Sequence, residues 1–376
     1  MKALRVVEVV GARPQFVKLA SLSRAFAAEA RGRVEEIIVH TGQHYDPELS
    51  DVFFDELEIP RASVNLEVGS GPHGRQTGAM LERLEAYLVE RRPDAVVVFG
   101  DTNSTVAGAL AAAKLGIPLA HVEAGLRSFN RVMPEEHNRV IADHLSDLLL
   151  APTDAAVRNL RNEGLQERTR LVGDVMYDAV LVNADLARKR SGVLERLRLD
   201  SRRYGIVTLH RAENTAAAAI GPMLRILAGI AEAVIPLAFP LHPRTREVIR
   251  AHAPEWRPPA GLLLCAPLGP LDMLRLTESA AVVITDSGGL QKEAFMLGRP
   301  CITLRSETEW IETVAAGANV LVGGEFEAAV AAARRAVDNP LLPEPNSWRA
   351  HELYGQGQAS MRCAEKVLAL AQSGRG

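Results

Sequence analysis

Aromatic residues are scarce in this chain. Phe, Trp and Tyr make up 5% of its 376 residues, which argues against broad surfaces for stacking nucleic-acid bases. Excess charge is missing too: 43 Lys and Arg stand against 46 Asp and Glu, a formal net charge of −3, so there is no electrostatic footprint for general nucleic-acid binding. The three cysteines, Cys265, Cys301 and Cys363, form no CxxC pair, and two lie in apolar runs. They read as buried reduced thiols. No apolar run is long enough to span a bilayer. The opening MKALRVVEVV carries Arg5 and Glu8 inside its apolar stretch and makes a poor signal-peptide core. The expectation is a cytoplasmic protein with no membrane partner. No HExxH or Cys/His framework occurs; His40 and His44 flank a glycine turn, and His137 and His144 are not at a ligand spacing. No metal is expected. A GxSxG nucleophile elbow is also absent.

What is present is a recurring alternation. A chain of this length exceeds one ordinary core and calls for two domains. Short, nearly continuous apolar runs recur in the first half (LRVVEVV, EEIIVH, DAVVVFG, PLAHVE, DLLLAP) and in the second (YGIVTLH, VIPLAFPL, GLLLCAP, AAVVITD, CITLR, NVLVGG). Strands buried on both faces of a parallel sheet read this way. Amphipathic stretches such as GRQTGAMLERLEAYLVERR separate them, so the expected class is α/β with parallel sheets. The pattern runs twice, with a charged helical zone from about Asp178 to Arg203 between the runs. The expected division is an N-terminal domain over 1–178, a C-terminal domain over 179–352, and a last helix over 353–376 packing back on the first domain.

Strand after strand ends in a polar cluster: Gly11-Ala12-Arg13-Pro14, Thr41-Gly42-Gln43-His44, Asp101-Thr102-Asn103, Glu123-Ala124-Gly125, His210-Arg211, His242-Pro243-Arg244, Asp286-Ser287-Gly288-Gly289. In doubly wound sheets, ligands bind at the carboxyl ends of the strands, so these clusters would line a cleft. Ser287-Gly288-Gly289 leads from a strand into a helix whose free N–H groups suit an anion. Glu293, acceptor-only when ionised, suits a pair of sugar hydroxyls. A tight turn followed by a solvated Glu would give the same local pattern. The motif is neither a Walker loop nor a GxGxxG fingerprint. Asp101, Glu123 and Glu135 fit acid–base work at a sugar ring. Asp101 also fits a helix cap, and Glu135 and Glu136 fit the first turn of a helix after Pro134.

As an ordered set, GARPQFVK, TGQH, VVFGDTNST, HVEAGLRS, PEEHNRVIADHLSDLLLAPT, VGDVMYDA, TLHRAENT, DSGGLQKEA, LGRPCITLRSETEW and AGANVLVGG resemble the non-hydrolysing UDP-N-acetylglucosamine 2-epimerase family. The resemblance covers residue 11 to about 323. It implies two Rossmann-like doubly wound domains facing a cleft, similar to the B-type glycosyltransferase fold, with a homodimer and no cofactor. The implied reaction inverts C2 of a UDP-linked 2-acetamido sugar by eliminating UDP to a glycal and adding it back. Carried over by motif, Asp101, Glu123, Glu135 and His210 are catalytic. Arg13, Lys18, Ser287, Gly288, Gly289 and Glu293 contact UDP. A second, activating substrate site corresponds to Gln43, His44, Arg75, Gln76, Glu136 and His242, with Ala212 in place of a contributing arginine and weakened activation as the consequence.

The departures also carry information. Many bacterial members have GTRPE, HRRE and HxNP where this chain has Gly11-Ala12-Arg13-Pro14-Gln15, His210-Arg211-Ala212-Glu213 and His242-Pro243-Arg244-Thr245. With Glu307-Thr308-Glu309-Trp310, these variants resemble the branch acting on UDP-2,3-diacetamido-2,3-dideoxy-glucuronate. Its C6 carboxylate would favour an arginine. Arg127 and Arg131 are within sequence reach of the acids, and solvated loop arginines would read the same. A B-type UDP-sugar glycosyltransferase, a hydrolysing epimerase and a UDP-sugar sensor are the competing readings.

Overall fold

The computed structural model describes residues 3–29, 32–43, 56, 58, 61–338 and 349–374. Contacts divide the chain into two compact units, residues 1–179 with 353–376, and residues 180–352. The first unit holds a seven-stranded sheet ordered β3-β2-β1-β4-β5-β6-β7, all pairs parallel. Its strands are β1 (Leu4–Val10), β2 (Val34–His40), β3 (Val64–Asn65), β4 (Ala95–Phe99), β5 (Leu119–Val122), β6 (Leu148–Ala151) and β7 (Thr169–Leu171). The second unit repeats the plan with six parallel strands, β10-β9-β8-β11-β12-β13. These are β8 (Gly205–Thr208), β9 (Leu237–Pro240), β10 (Leu262–Cys265), β11 (Val282–Thr285), β12 (Cys301–Thr303) and β13 (Asn319–Leu321). Each sheet winds outward in both directions from its first strand, so the order reverses between β1 and β4 and between β8 and β11. Crevices at the carboxyl ends of such strands are where this architecture binds ligands.

The central strands are buried on both faces, which is why they are uninterrupted runs: every residue of β4, β5, β6 and β11 is buried. Edge strands β3 and β7 are two and three residues long, with exposed positions. Their sequences, VN and TRL, carry no continuous run, and the apolar pattern did not announce them.

The chain returns to the first unit through a close backbone approach. Asp174 N–H donates to Tyr354 C=O, and a Cβ at Gly173 would stand 2.6 Å from that carbonyl. The last helix, Ala359–Ser373, has its first turn capped from outside, Ser360 N–H donating to Asp178 Oδ2 at 2.6 Å. It packs on the helix Arg13–Glu29 and on β1 and β4, burying Cys363, Val367 and Leu368. Among the described residues, no helix is long and apolar enough to cross a membrane.

Candidate active site

The turn after β4 builds the first half of the site. Gly100 has φ +62, and a Cβ there would stand 3.1 Å from Lys18 Nζ and 3.4 Å from Glu123 Oε1. The bare glycine therefore admits an ion pair against the backbone: Lys18 donates to Glu123 at 2.5 Å, with both side chains at least nine-tenths covered. Glu123 adopts φ +69, a left-handed conformation that is uncommon for a non-glycine residue and marks a site held by its surroundings.

Asp101 is freed from capping because Thr102 takes that role, accepting from Thr105 N–H at the start of the helix Asn103–Lys114. The Asp101 carboxylate instead receives Arg139 at 2.5 Å, and Asn138 donates to its backbone carbonyl. Arg139 also reaches Glu136. Burial works against its charge, but Asp101, Glu136 and Glu123 outweigh it and hold Arg139 above its ordinary range. Glu136 is used internally: it accepts from Ser128 N–H and Oγ–H and from Phe129 N–H. Burial pushes its pKa up, but these bonds and Arg139 bring it below the usual value. Glu135 sits exposed in the first turn of the helix Pro134–Leu145, with no described partner.

Under this pair lies a buried polar layer. His121 in β5 places Nδ1 2.7 Å from Asp143 Oδ1 and Nε2 2.7 Å from Gly100 C=O. Asp143 Oδ2 accepts from Gly125 N–H and pairs with Arg127 at 2.7 Å, and Arg127 forks onto Glu163. Arg127 is thus neither solvated nor open to a substrate carboxylate: its side chain is 1% exposed. Arg131 is exposed.

The residues matched to a second site are spread differently. Gln43 accepts from Ser104 N–H and Oγ–H, and Gln76 donates to Gly69 C=O while accepting from Asn103. Arg75 is exposed beside them in sequence, on the helix His73–Arg91. His242 lies in the other unit and caps the helix Pro243–His252. His44 lies outside the described residues, and so does the side chain of Arg13, the first residue of its helix.

In the second unit, Ser287 caps the helix Gly288–Met296, its Oγ accepting from Leu290 N–H at 3.4 Å. Gly288 C=O accepts from Trp310 Nε1, and the Lys292 ammonium stands 4.3 Å from the centroid of the Trp310 ring. Asp286, fully buried, ties the two turns together: it accepts from the N–H groups of His210 and Arg211 and from Asn214. Its Oδ1 also lies 3.4 Å from His210 Nδ1, which orients an imidazole that is otherwise exposed. Glu309 pairs with Arg305 and lies 3.8 Å from Arg211. Glu293 keeps part of its surface accessible but is closely ringed by protein, and burial raises its pKa to about 7.

Sequence reasoning missed Arg139, Asp143 and His121, and it placed Asp286 in a strand-end cluster without giving it a role. A signal existed for Arg139, three residues after Glu136 and so on the same helix face. For His121 the signal was a polar ring inside a fully apolar strand.

Two doubly wound parallel sheets, with polar turns at the carboxyl ends of their strands, define a class of α/β protein that binds its ligands at those ends. The sequence profile of the UDP-N-acetylglucosamine 2-epimerase family matches residues 27–368, and the chain belongs to that family; it is an isomerase, a UDP-sugar 2-epimerase. It is 46% identical over 365 residues to a UDP-N-acetylglucosamine 2-epimerase homolog of Methanococcus maripaludis, covering 96% of this chain and 99% of that one. It is 43% identical to the UDP-2,3-diacetamido-2,3-dideoxy-D-glucuronate 2-epimerase of Pseudomonas aeruginosa, covering 98% of this chain and 100% of the other. Among solved structures, the Methanocaldococcus jannaschii UDP-GlcNAc 2-epimerase in complex with UDP-GlcNAc and UDP aligns with a TM-score of 0.82 at 38% identity, over 98% of this chain and 100% of that chain.

Proposed function

We propose that the chain interconverts UDP-GlcNAc and UDP-ManNAc without hydrolysing them. The observation that carries this reading is the pair of cation-held carboxylates, Asp101 on Arg139 and Glu123 on Lys18, at the strand-order reversal of the first sheet. The C2 hydrogen of a 2-acetamido sugar is not α to a carbonyl. Breaking the C1–O bond to UDP builds positive character at C1 and makes that proton easier to remove. A base takes it, UDP leaves with the bonding pair, and a glycal remains. Protonation of C2 from the opposite face and return of UDP to C1 complete the inversion. This needs acid–base groups on both faces and a firm hold on the leaving group. Asp101, Glu123 and Glu135 serve the ring. Ser287, Gly288 and Gly289 offer a helix N-terminus to the diphosphate, Glu293 accepts from the ribose, His210 is a further catalytic group at the leaving group, and Arg13 and Lys18 join the UDP contacts. No metal or redox cofactor is required. The first domain carries the acid–base carboxylates, and the second carries the glycine turn and Glu293 of the UDP site. The protein acts in the cytoplasm as a homodimer.

The relationship to the Pseudomonas aeruginosa enzyme favours a second substrate, the diacetamido uronic acid sugar. Arg127 is committed to Asp143 and Glu163, which leaves exposed Arg131 to meet its C6 carboxylate. Proton NMR in D₂O tests both. UDP-ManNAc forming from UDP-GlcNAc, with deuterium at C2, supports the plain sugar. No exchange with that sugar, but exchange with the uronic acid, selects the second. Silence with both, in a folded protein that binds UDP, overturns the epimerase reading.

A further inference from the structure

We infer that the buried His121, with Asp143, positions the two turns carrying Asp101 and Glu123. The argument begins with donors and acceptors. A carbonyl oxygen only accepts, so His121 Nε2, 2.7 Å from Gly100 C=O, must carry a proton. Nδ1 stands 2.7 Å from Asp143 Oδ1. The other oxygen of that carboxylate already accepts from Gly125 N–H and pairs with Arg127, so Asp143 is the ionised partner. The ring thus bridges the Gly100 carbonyl and the Asp143 carboxyl group, one contact at each nitrogen.

The charged and titratable groups around the ring come from three directions: Asp143 from the helix Pro134–Leu145, Arg127 from the turn after β5, and Glu163, which Arg127 reaches and which lies 3.2 Å from His144 Nε2, from the end of the helix Asp154–Asn162. His121, Asp143 and the Arg127 side chain are essentially inaccessible to water. Burial raises the carboxyl pKa of Asp143, but His121 and Arg127 overcome it and leave Asp143 below its usual range.

Two anchor points follow. The Nε2–H bond pins the carbonyl of the Gly100–Asp101 peptide, in a turn that Gly100 enters at φ +62. The Asp143 bond to Gly125 N–H pins the turn that leaves Glu123 at φ +69. One carboxylate thus sets the spacing of both proposed acid–base groups without touching the substrate. His121 and Asp143 are positioning residues.

This inference rests on the proposed roles of Asp101 and Glu123, and its first test does not depend on activity. The Gly125 amide, held by Asp143, should be slow to exchange with deuterated solvent and should lose about tenfold of that protection in a folded His121→Phe. Unchanged protection overturns the inference, whatever the enzyme turns over. The second test separates positioning from mere support of the fold. His121→Phe keeps a ring but removes both bonds, and should lower kcat about a hundredfold, the cost of a small misplacement at the reacting centre, with KM and UDP affinity within about twofold. Asp143→Asn is the conservative rescue: its amide can donate to a neutral Nδ1 while its oxygen still accepts from Gly125, so kcat should stay within about tenfold. Wild-type rates in a folded His121→Phe, or an Asp143→Asn loss as large as that of His121→Phe, overturn the positioning role.

Discussion

The two units share a winding plan and differ in how they treat charge. In the first, the carboxylates beside β4 and β5 are paired with cations or an imidazole: Glu123 with Lys18, Asp101 and Glu136 with Arg139, Asp143 with His121 and Arg127. In the second, the strand ends present a helix N-terminus at Gly288 and Gly289, an imidazole oriented by one buried carboxylate, and Glu293, whose pKa burial has raised to about 7 for want of compensation. A preorganised set of ions suits proton transfer, where groups must hold position while charge moves. An uncompensated set suits a ligand that brings the missing partners with it. The same topology thus supports a half in which Asp101 and Glu123 are complete with their cations and a half left incomplete at Glu293, which the ribose of a nucleotide would partner.

Breaking the complete half should give the largest effect. Asp101→Asn keeps the shape and removes the charge facing Arg139. Turnover, read as C2 deuterium exchange, should fall by roughly 10²–10⁴-fold, the usual weight of an acid–base group, while UDP still binds. Glu123→Gln should match that loss and also destabilise the fold, because Lys18 would remain buried without its anion. Breaking a buried pair costs about 3–5 kcal/mol, and thermal unfolding would show it. Wild-type exchange in both variants would remove the proposed division of labour.

An intermediate effect is expected at the helix N-terminus of the second unit. A Cβ at Gly288 would meet Glu309 Oε2 at 3.4 Å and Trp310 Nε1 at 3.6 Å, ordinary contact distances. Gly288→Ala should therefore fold normally. It should weaken UDP binding by about 1–2 kcal/mol, since the methyl narrows the approach to N–H groups that an anion needs to reach. Titration calorimetry with UDP gives the number, and unchanged affinity would mean that the diphosphate lies elsewhere.

Apolar continuity carried most of the fold, because a parallel strand buried on both faces must be apolar throughout. The runs from LRVVEVV to NVLVGG correspond to observed strands. It failed for β3 and β7, which have one neighbour each and little to bury. The polar strand ends were legible as positions, whereas their pairings were not. Lys18 and Glu123 are 105 residues apart, and nothing local joins them. Gln15 shows the same limit. Read as a variant letter in GARPQ, it proves to be a clamp that accepts from Gly11 and Ala12 N–H and donates to Phe99 C=O and Thr105 Oγ1. A glutamate could not make the two donations.

The smallest expected effect tests the incomplete half through pH. Glu293 has its pKa raised by burial from 4.5 to about 7. The unliganded fold is thus easiest to form below about pH 4.5, and stability is lost as pH rises through about 7, where the buried carboxyl must ionise. Two ribose hydroxyls donating to the carboxylate would reverse that preference, because they bond to the charged form. UDP binding would then expel a proton between these two values, and affinity should climb with pH, by roughly tenfold from pH 6 to 8. The phosphates of UDP titrate in the same region, so the informative quantity is the difference between the wild type and Glu293→Gln. The variant cannot release this proton, and its pH dependence should be flatter. Parallel curves for the two proteins would mean that Glu293 does not meet the ribose, and the contrast between the two units would rest on the glycine turn alone.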